Sequence, residues 1–169
     1  MTTDAPSTTT LLHRFLHWET ERAQDIALTE PGPDGKVVDY TWREVGEQAR
    51  RMAAHLQGLG LPPASNIAIL GRNSAHWIIA DLAIWMGAHV SVPLYPTINA
   101  ASAKHVLAHS EARLLFVGKL DGKADAWNEI RDILPAQLPL IGLPMSPLPP
   151  AQQWQTLAAE VAPLQQPRL

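Results

Sequence analysis

At 169 residues the chain has room for one domain, or for part of a larger one. Hydrophobic residues make up 46% and charged residues 17%, enough to bury a core. The net charge of −3, with no block of lysines and arginines, gives no electrostatic case for nucleic acid. The absence of cysteine excludes disulfides, thiolate chemistry and cysteine metal sites, and it fits a cytoplasmic setting.

The polar start "MTTDAPSTTT" lacks the basic-then-apolar order of a signal peptide. Residues 1–10 read as disordered. From Leu11 a helix is expected, because Leu11, Leu12, Phe15 and Leu16 share one face. A β-hairpin follows, with arms at 26–29 and 36–40 joined by the turn-rich Pro31-Gly32-Pro33-Asp34-Gly35. Thr41 and Glu44 then form a capping box, with Tyr40 and Val45 spaced as a hydrophobic staple. Trp42, Val45, Ala49, Met52 and Leu56 make one apolar stripe along the helix. Gly58, Gly60 and Pro62-Pro63 end it.

Three βα units are expected next. Residues 66–70 form an apolar strand, "GRNS" turns, and a helix runs over 75–87. A second strand at 89–92 leads to a helix capped by Asn99 and reaching 110. A third strand at 113–117 leads to a helix over 124–134, and 138–143 can add a fourth. Strands without alternation, separated by helices, point to a parallel sheet covered on both faces. The expected class is therefore α/β, with a small N-terminal hairpin. From Pro135 onward the composition shifts: eight of the fifteen prolines lie there, with several glutamines. Residues 146–169 read as a Pro/Gln-rich linker, with a helix possible over 151–161 that puts Trp154, Leu157 and Val161 on one face.

The stretch "VPLYPT" ends the second strand on two prolines around a tyrosine. Ligands of open parallel sheets sit in such turns, at the carboxyl ends of strands. Two readings stand: Tyr95 presented to a ligand by a stiff turn, or Tyr95 packed as a lid on the core. The apolar run at 77–86, interrupted by Asp81, is shorter than the ~20 residues needed to span a bilayer. Trp77 and Trp85 within it read as core, and Asp81 needs a partner or an exposed edge. His13/His17 and His105/His109 have a metal-compatible spacing, but both pairs fall opposite their apolar faces and lack a third ligand, so no metal site is expected. Gly58-Leu59-Gly60 follows a helix rather than a strand and is no dinucleotide loop. By spacing alone there is no catalytic constellation.

Three stretches together resemble one family: "YTWREVGEQARRMAAHLQGLGL", "NIAILGRNSAHWIIADLAIWMGAHVSVPLYPT" and "HVLAHSEARLLFVGKLD". They are similar to the N-terminal region of the AMP-forming acyl-CoA synthetases, the adenylate-forming ligases. The "YPT" and "VGKLD" wording is nearest the long-chain fatty-acid branch. The resemblance spans about 11–145, which it makes an N-terminal subdomain. It implies a two-step reaction in the intact enzyme: a fatty acid and ATP give an acyl-adenylate, then coenzyme A gives the thioester, with Mg2+ accompanying the nucleotide. It also implies that this chain is a fragment ending before the family's phosphate loop, with no catalytic, cofactor or metal residue of its own and no activity alone. Asn73, Ser74, Trp77 and Tyr95 are the candidates for lining the acyl side of the cleft. A deprived apolar patch would favour self-association, and peripheral membrane contact is compatible. Two alternatives remain: a non-catalytic binding or interaction module on the same scaffold, and a flavodoxin-like nucleotide-binding domain, for which "GRNSAHW" supplies only Gly71.

Overall fold

The computed structural model describes residues 9–32, 35–120 and 126–167. The expected disordered start lies, over 1–8, outside the described residues, as does the tip of the hairpin turn at 33–34. Helix α1 (Leu11–Glu21) buries Leu12 and Phe15. Its cap is made by Thr10, whose Oγ1 accepts from the His13 N–H while His13 Nδ1 accepts from the Thr10 N–H. His13 is thus half-buried and engaged, contrary to the expectation of a solvent-facing pair; His17, His105 and His109 are exposed.

Strands β1 (Ile26–Pro31) and β2 (Val37–Thr41) form the antiparallel hairpin. Helix α2 (Trp42–Gly58) starts in the expected capping box: the Thr41 N–H donates to Glu44 Oε2 at 2.8 Å, and the Glu44 N–H donates to Thr41 Oγ1 at 3.3 Å. The first of these bonds holds the Glu44 carboxyl below its usual range. Val45, Ala49, Met52 and Leu56 are buried, and Trp42 packs against them from the rim. Full burial of a side chain such as Leu56 contributes about 1.5–3 kcal/mol. Arg50 grips Glu19 of α1 with both guanidinium nitrogens, Nη2 to Oε2 at 2.6 Å. Gly46 makes room for that grip, since a Cβ there would stand 1.8 Å from Glu19 Oε1.

The βα units are β3 (Asn66–Leu70), α3 (Ala75–Met86), β4 (Val90–Leu94), α4 (Ala100–His109), β5 (Leu114–Val117), α5 (Ala126–Arg131) and β6 (Leu140–Gly142). The four strands are parallel in the order β4-β3-β5-β6. Ile67, Ile69, Leu114 and Phe116 face α1, α2 and α3. Ala68, Leu70, Leu115 and Val117 face α4 and α5. Period-two alternation thus splits each apolar strand between two cores, as a sheet covered on both sides requires. Asp81 has its partner in Ser91 of β4, whose hydroxyl donates to the carboxylate. Burial raises the Asp81 carboxyl, and the Ser91 bond partly offsets this.

The puzzle of the two prolines resolves at the sheet edge. Strand β4 extends through Pro93, two residues further than expected. The Val90 N–H donates to the Ser65 carbonyl. By alternation, residues 90, 92 and 94 turn their N–H groups inward, and Pro93 occupies an outward position, where no ladder bond is lost. Tyr95 follows at 82% exposure, so it is no lid on the core.

The segment read as linker is folded against the domain. A 3₁₀ turn (Pro150–Gln152) leads to α6 (Trp154–Ala159), and Trp154 is 2% exposed within the main core. The Val161 carbonyl accepts from Arg51, and the Leu164 N–H donates to the Arg50 carbonyl. The possible helix over 151–161 forms over Trp154–Ala159, and its one large apolar side chain outweighs the proline and glutamine density. An apolar groove of about 260 Å³ lies between α1, the hairpin, α2 and α3, bordered by Phe15, Trp18, Trp42 and Ile78. No helix among the described residues is long and apolar enough to cross a membrane.

Candidate functional site

A cleft of about 890 Å³ opens at the carboxyl ends of β3, β5 and β6. Strand β3 connects outward to β4 on one side, and β5 and β6 lie on its other side, so the chain reverses direction across the sheet between β3 and β5. Crevices at such switch points are where open α/β sheets hold ligands. The two strand ends are locked together. Gly71 and Gly118 meet backbone to backbone, and a Cβ on Gly71 would stand 3.0 Å from the Gly118 Cα. The Gly118 N–H donates to the Leu70 carbonyl at 2.8 Å, and the Arg72 N–H to the Lys119 carbonyl at 2.8 Å. The ladder therefore continues past both strands and sets Arg72 and Lys119 side by side on the cleft.

The hairpin supplies the facing wall through Leu28, Glu30 and Tyr40. Glu30 Oε2 accepts from the Ala75 N–H at 2.8 Å, at the first turn of α3, where a helix leaves its amides unpaired and favours a negative charge. Glu30 Oε1 accepts from the Tyr40 hydroxyl at 3.4 Å. Burial first, then the Glu30 charge, pushes the Tyr40 phenol up. Beyond β6 the rim is Pro144 and Met145, the latter with φ of 65°, an uncommon left-handed backbone for a side chain of this size. Gln153 and Gln155 complete the wall.

The model of the AMP-binding enzyme family matches residues 15–166. The chain belongs to the AMP-binding enzyme family. Long chain acyl-CoA synthetase 6, peroxisomal, of Arabidopsis thaliana is 32% identical over 117 residues, which cover 67% of this chain and 17% of that protein. Among solved structures, the acetoacetyl-CoA synthetase from Streptomyces lividans superposes with a TM-score of 0.77 at 24% identity, covering 93% of this chain and 26% of that one. A benzoate CoA ligase from Burkholderia xenovorans LB400 gives 0.74 at 23% identity, covering 92% and 29%. These likenesses establish a shared fold. The chain thus spans less than a third of each of these relatives.

Within the chain the four candidate residues separate. Asn73 and Ser74 line the cleft together. Ser74 also caps α3, its Oγ accepting from the Trp77 N–H at 3.1 Å, so part of its hydrogen-bonding capacity is committed to the fold. Trp77 is half-buried against the main core, and Tyr95 stands exposed at the end of β4; neither lines the cleft. Glu30, Met145 and Gln153 carry no motif in the sequence, whereas Tyr40 and Lys119 lie in the stretches that carry the family resemblance without standing out there as site residues. The strand-end rule could have singled out Lys119, by its position just after β5. Among the described residues no three histidine or carboxylate side chains converge to hold a metal. Of the described residues lining the cleft, the one carboxylate, Glu30, is engaged by the Ala75 N–H and the Tyr40 hydroxyl, so the cleft does not fit a magnesium site.

Proposed function

We propose that this chain is the N-terminal α/β part of an AMP-forming acid–thiol ligase acting on long-chain fatty acids. The observation that carries the reading is the family match over nearly the whole chain, joined to the 32% identity with a long-chain acyl-CoA synthetase. In the intact enzyme the fatty-acid carboxylate attacks the α-phosphorus of ATP. Pyrophosphate leaves and an acyl-adenylate remains. The coenzyme A thiol then attacks the acyl carbon, giving the thioester, a proton and AMP. Magnesium, when bound with the nucleotide, supplies charge neutralisation at the phosphates. Its ligands belong to other parts of the intact enzyme.

This chain's contribution is to position the acid. The cleft at the switch point takes it, with Asn73 and Ser74 on the wall. The acceptor and donor groups of Asn73 suit a carboxyl or a polar neighbour of the acyl chain. Trp77 contributes from behind, through packing. Acyl transfer through an adenylate needs preorganised charge around the phosphates, and loss of one such group can cost ~10²–10³ in rate. The chain holds no phosphate-cradling loop, so alone it is inactive. A cytoplasmic setting belongs to the same reading, although the Arabidopsis relative is peroxisomal by name.

The test is fatty-acid-dependent exchange of pyrophosphate into ATP, run on this chain and on the protein extended along its reading frame. Exchange is expected only from the extended protein, and with long-chain acids above benzoate or acetoacetate. Exchange by the chain alone would refute its inactivity. No exchange by the extended protein with any acid would favour an interaction module on the same scaffold.

A further inference from the structure

His76 is the second residue of α3 and is 5% exposed. Its ring sits between two aromatic rings from distant parts of the chain. Tyr40 of the hairpin lies at 5.7 Å and 84°, and Trp154 of α6 at 5.5 Å and 87°. Its Nδ1 is buried and has no hydrogen-bond partner among the described residues. A neutral imidazole tolerates this, because one ring nitrogen is only an acceptor. An imidazolium does not, because both nitrogens then carry protons that need acceptors, and a buried charge without them is costly.

We propose that His76 is an acid-operated latch, which clamps the hairpin and α6 together at the cleft and lets go when it takes up a proton. The surroundings define the charge balance. From the hairpin side Glu30 is the facing anion, but its two oxygens are engaged by the Ala75 N–H and the Tyr40 hydroxyl. Tyr40 itself is held neutral, and Glu44 acts on it from α2. From the α6 side come Trp154 and, behind it, Phe116 of β5, neither of them charged. The acid of that segment, Glu160, acts instead on His55 of α2. On α3, Asp81 is engaged by Ser91.

Burial lowers the His76 pKa from its ordinary value, with Glu30 partly opposing. The proton is therefore bound more weakly in the clamped state than in the released one. The clamp is at full strength above the released-state value of ~6.5 and weakens as pH falls below it. Release has a local consequence, because Glu30, Tyr40, Gln153 and Gln155 all line the cleft. A drop in pH would remove two of its walls at once. The inference rests on the cleft's geometry alone, so it stands or falls apart from the ligase reading.

Amide hydrogen exchange of the 169-residue chain tests it, read over 26–41 and 150–160 between about pH 7.5 and about pH 5.5 and corrected for the intrinsic rate. Opening of both segments is expected to rise with falling pH, by at most about tenfold per unit for one proton. His76→Phe keeps a ring and is expected to abolish the slope. If it does not fold at the higher pH, His76→Gln, neutral throughout, serves the same purpose. His55→Gln is expected to leave the slope in place. A flat wild-type response, a slope that survives loss of His76, or one that disappears with His55→Gln would overturn the latch.

Discussion

The turn after β3 and the turn after β4 leave the carboxyl ends of neighbouring parallel strands, and each ends in a polar residue that caps a helix: Ser74 for α3 and Asn99 for α4. Their surroundings differ. The first turn is roofed by the hairpin, bonded to Glu30 and flanked by the turns after β5 and β6, so Asn73 and Ser74 lie in a cleft. The second leaves from an edge strand, and its Tyr95 stands in solvent. Local chemistry is nearly the same in both. What separates a candidate site from a surface loop is what the rest of the chain brings up against it.

Substitutions can break that comparison, and the largest effect is expected from α6, which carries another wall of the cleft. Trp154→Ala should destabilise the chain by ~3–5 kcal/mol in urea melts, because a buried indole leaves a cavity behind it. A near-zero cost would mean that α6 is not part of the core. Glu30→Ala should cost about 1.5–3 kcal/mol, the range for hydrogen bonds to a charged group. Its companion measurement is faster exchange of the Ala75 amide, and an unchanged amide would remove Glu30 from the start of α3.

Smaller effects sharpen the likeness between the turns. Ser74→Ala and Asn99→Ala should each cost ~1 kcal/mol, since the same kind of cap is lost in both. A large difference between them would place the distinction in the caps instead of in the roof. Tyr95→Ala should change stability by less than about 0.5 kcal/mol, as expected for an exposed side chain without partners in the core. A loss above 1 kcal/mol would restore the lid reading of this tyrosine.

Elements governed by local rules were legible in the sequence. The Thr41/Glu44 box starts α2 where the spacing says, and residues 66–70 form β3 with no offset, because capping and continuous apolar runs act over a few residues. Two local expectations yield to tertiary context. Proline usually ends strands, which predicts an end at residue 92; an edge position with an outward-facing nitrogen removes that cost, and β4 runs on to Leu94. Over residues 146–169 the composition indicates a linker with a possible helix over 151–161; the helix forms over Trp154–Ala159, and its tryptophan fills a pocket between His76 and Phe116 and pins the segment. Of the candidate site, the turn holding Asn73 and Ser74 was legible through the strand-end rule. Its walls were not, because Glu30 and Tyr40 belong to a hairpin whose docking no local pattern encodes. His13 shows the same limit on a smaller scale: its ring closes a capping box that is ordinarily closed by a carboxylate or amide.

The most direct measurement is the KM for fatty acid of the intact enzyme carrying Asn73→Ala, set beside Tyr95→Ala. If the roofed turn takes the acid, Asn73→Ala should raise that KM about two- to tenfold, the worth of one ordinary hydrogen bond, and Tyr95→Ala should leave it unchanged. A raised KM from Tyr95→Ala with none from Asn73→Ala would contradict the assignment and move the acid to the edge of the sheet.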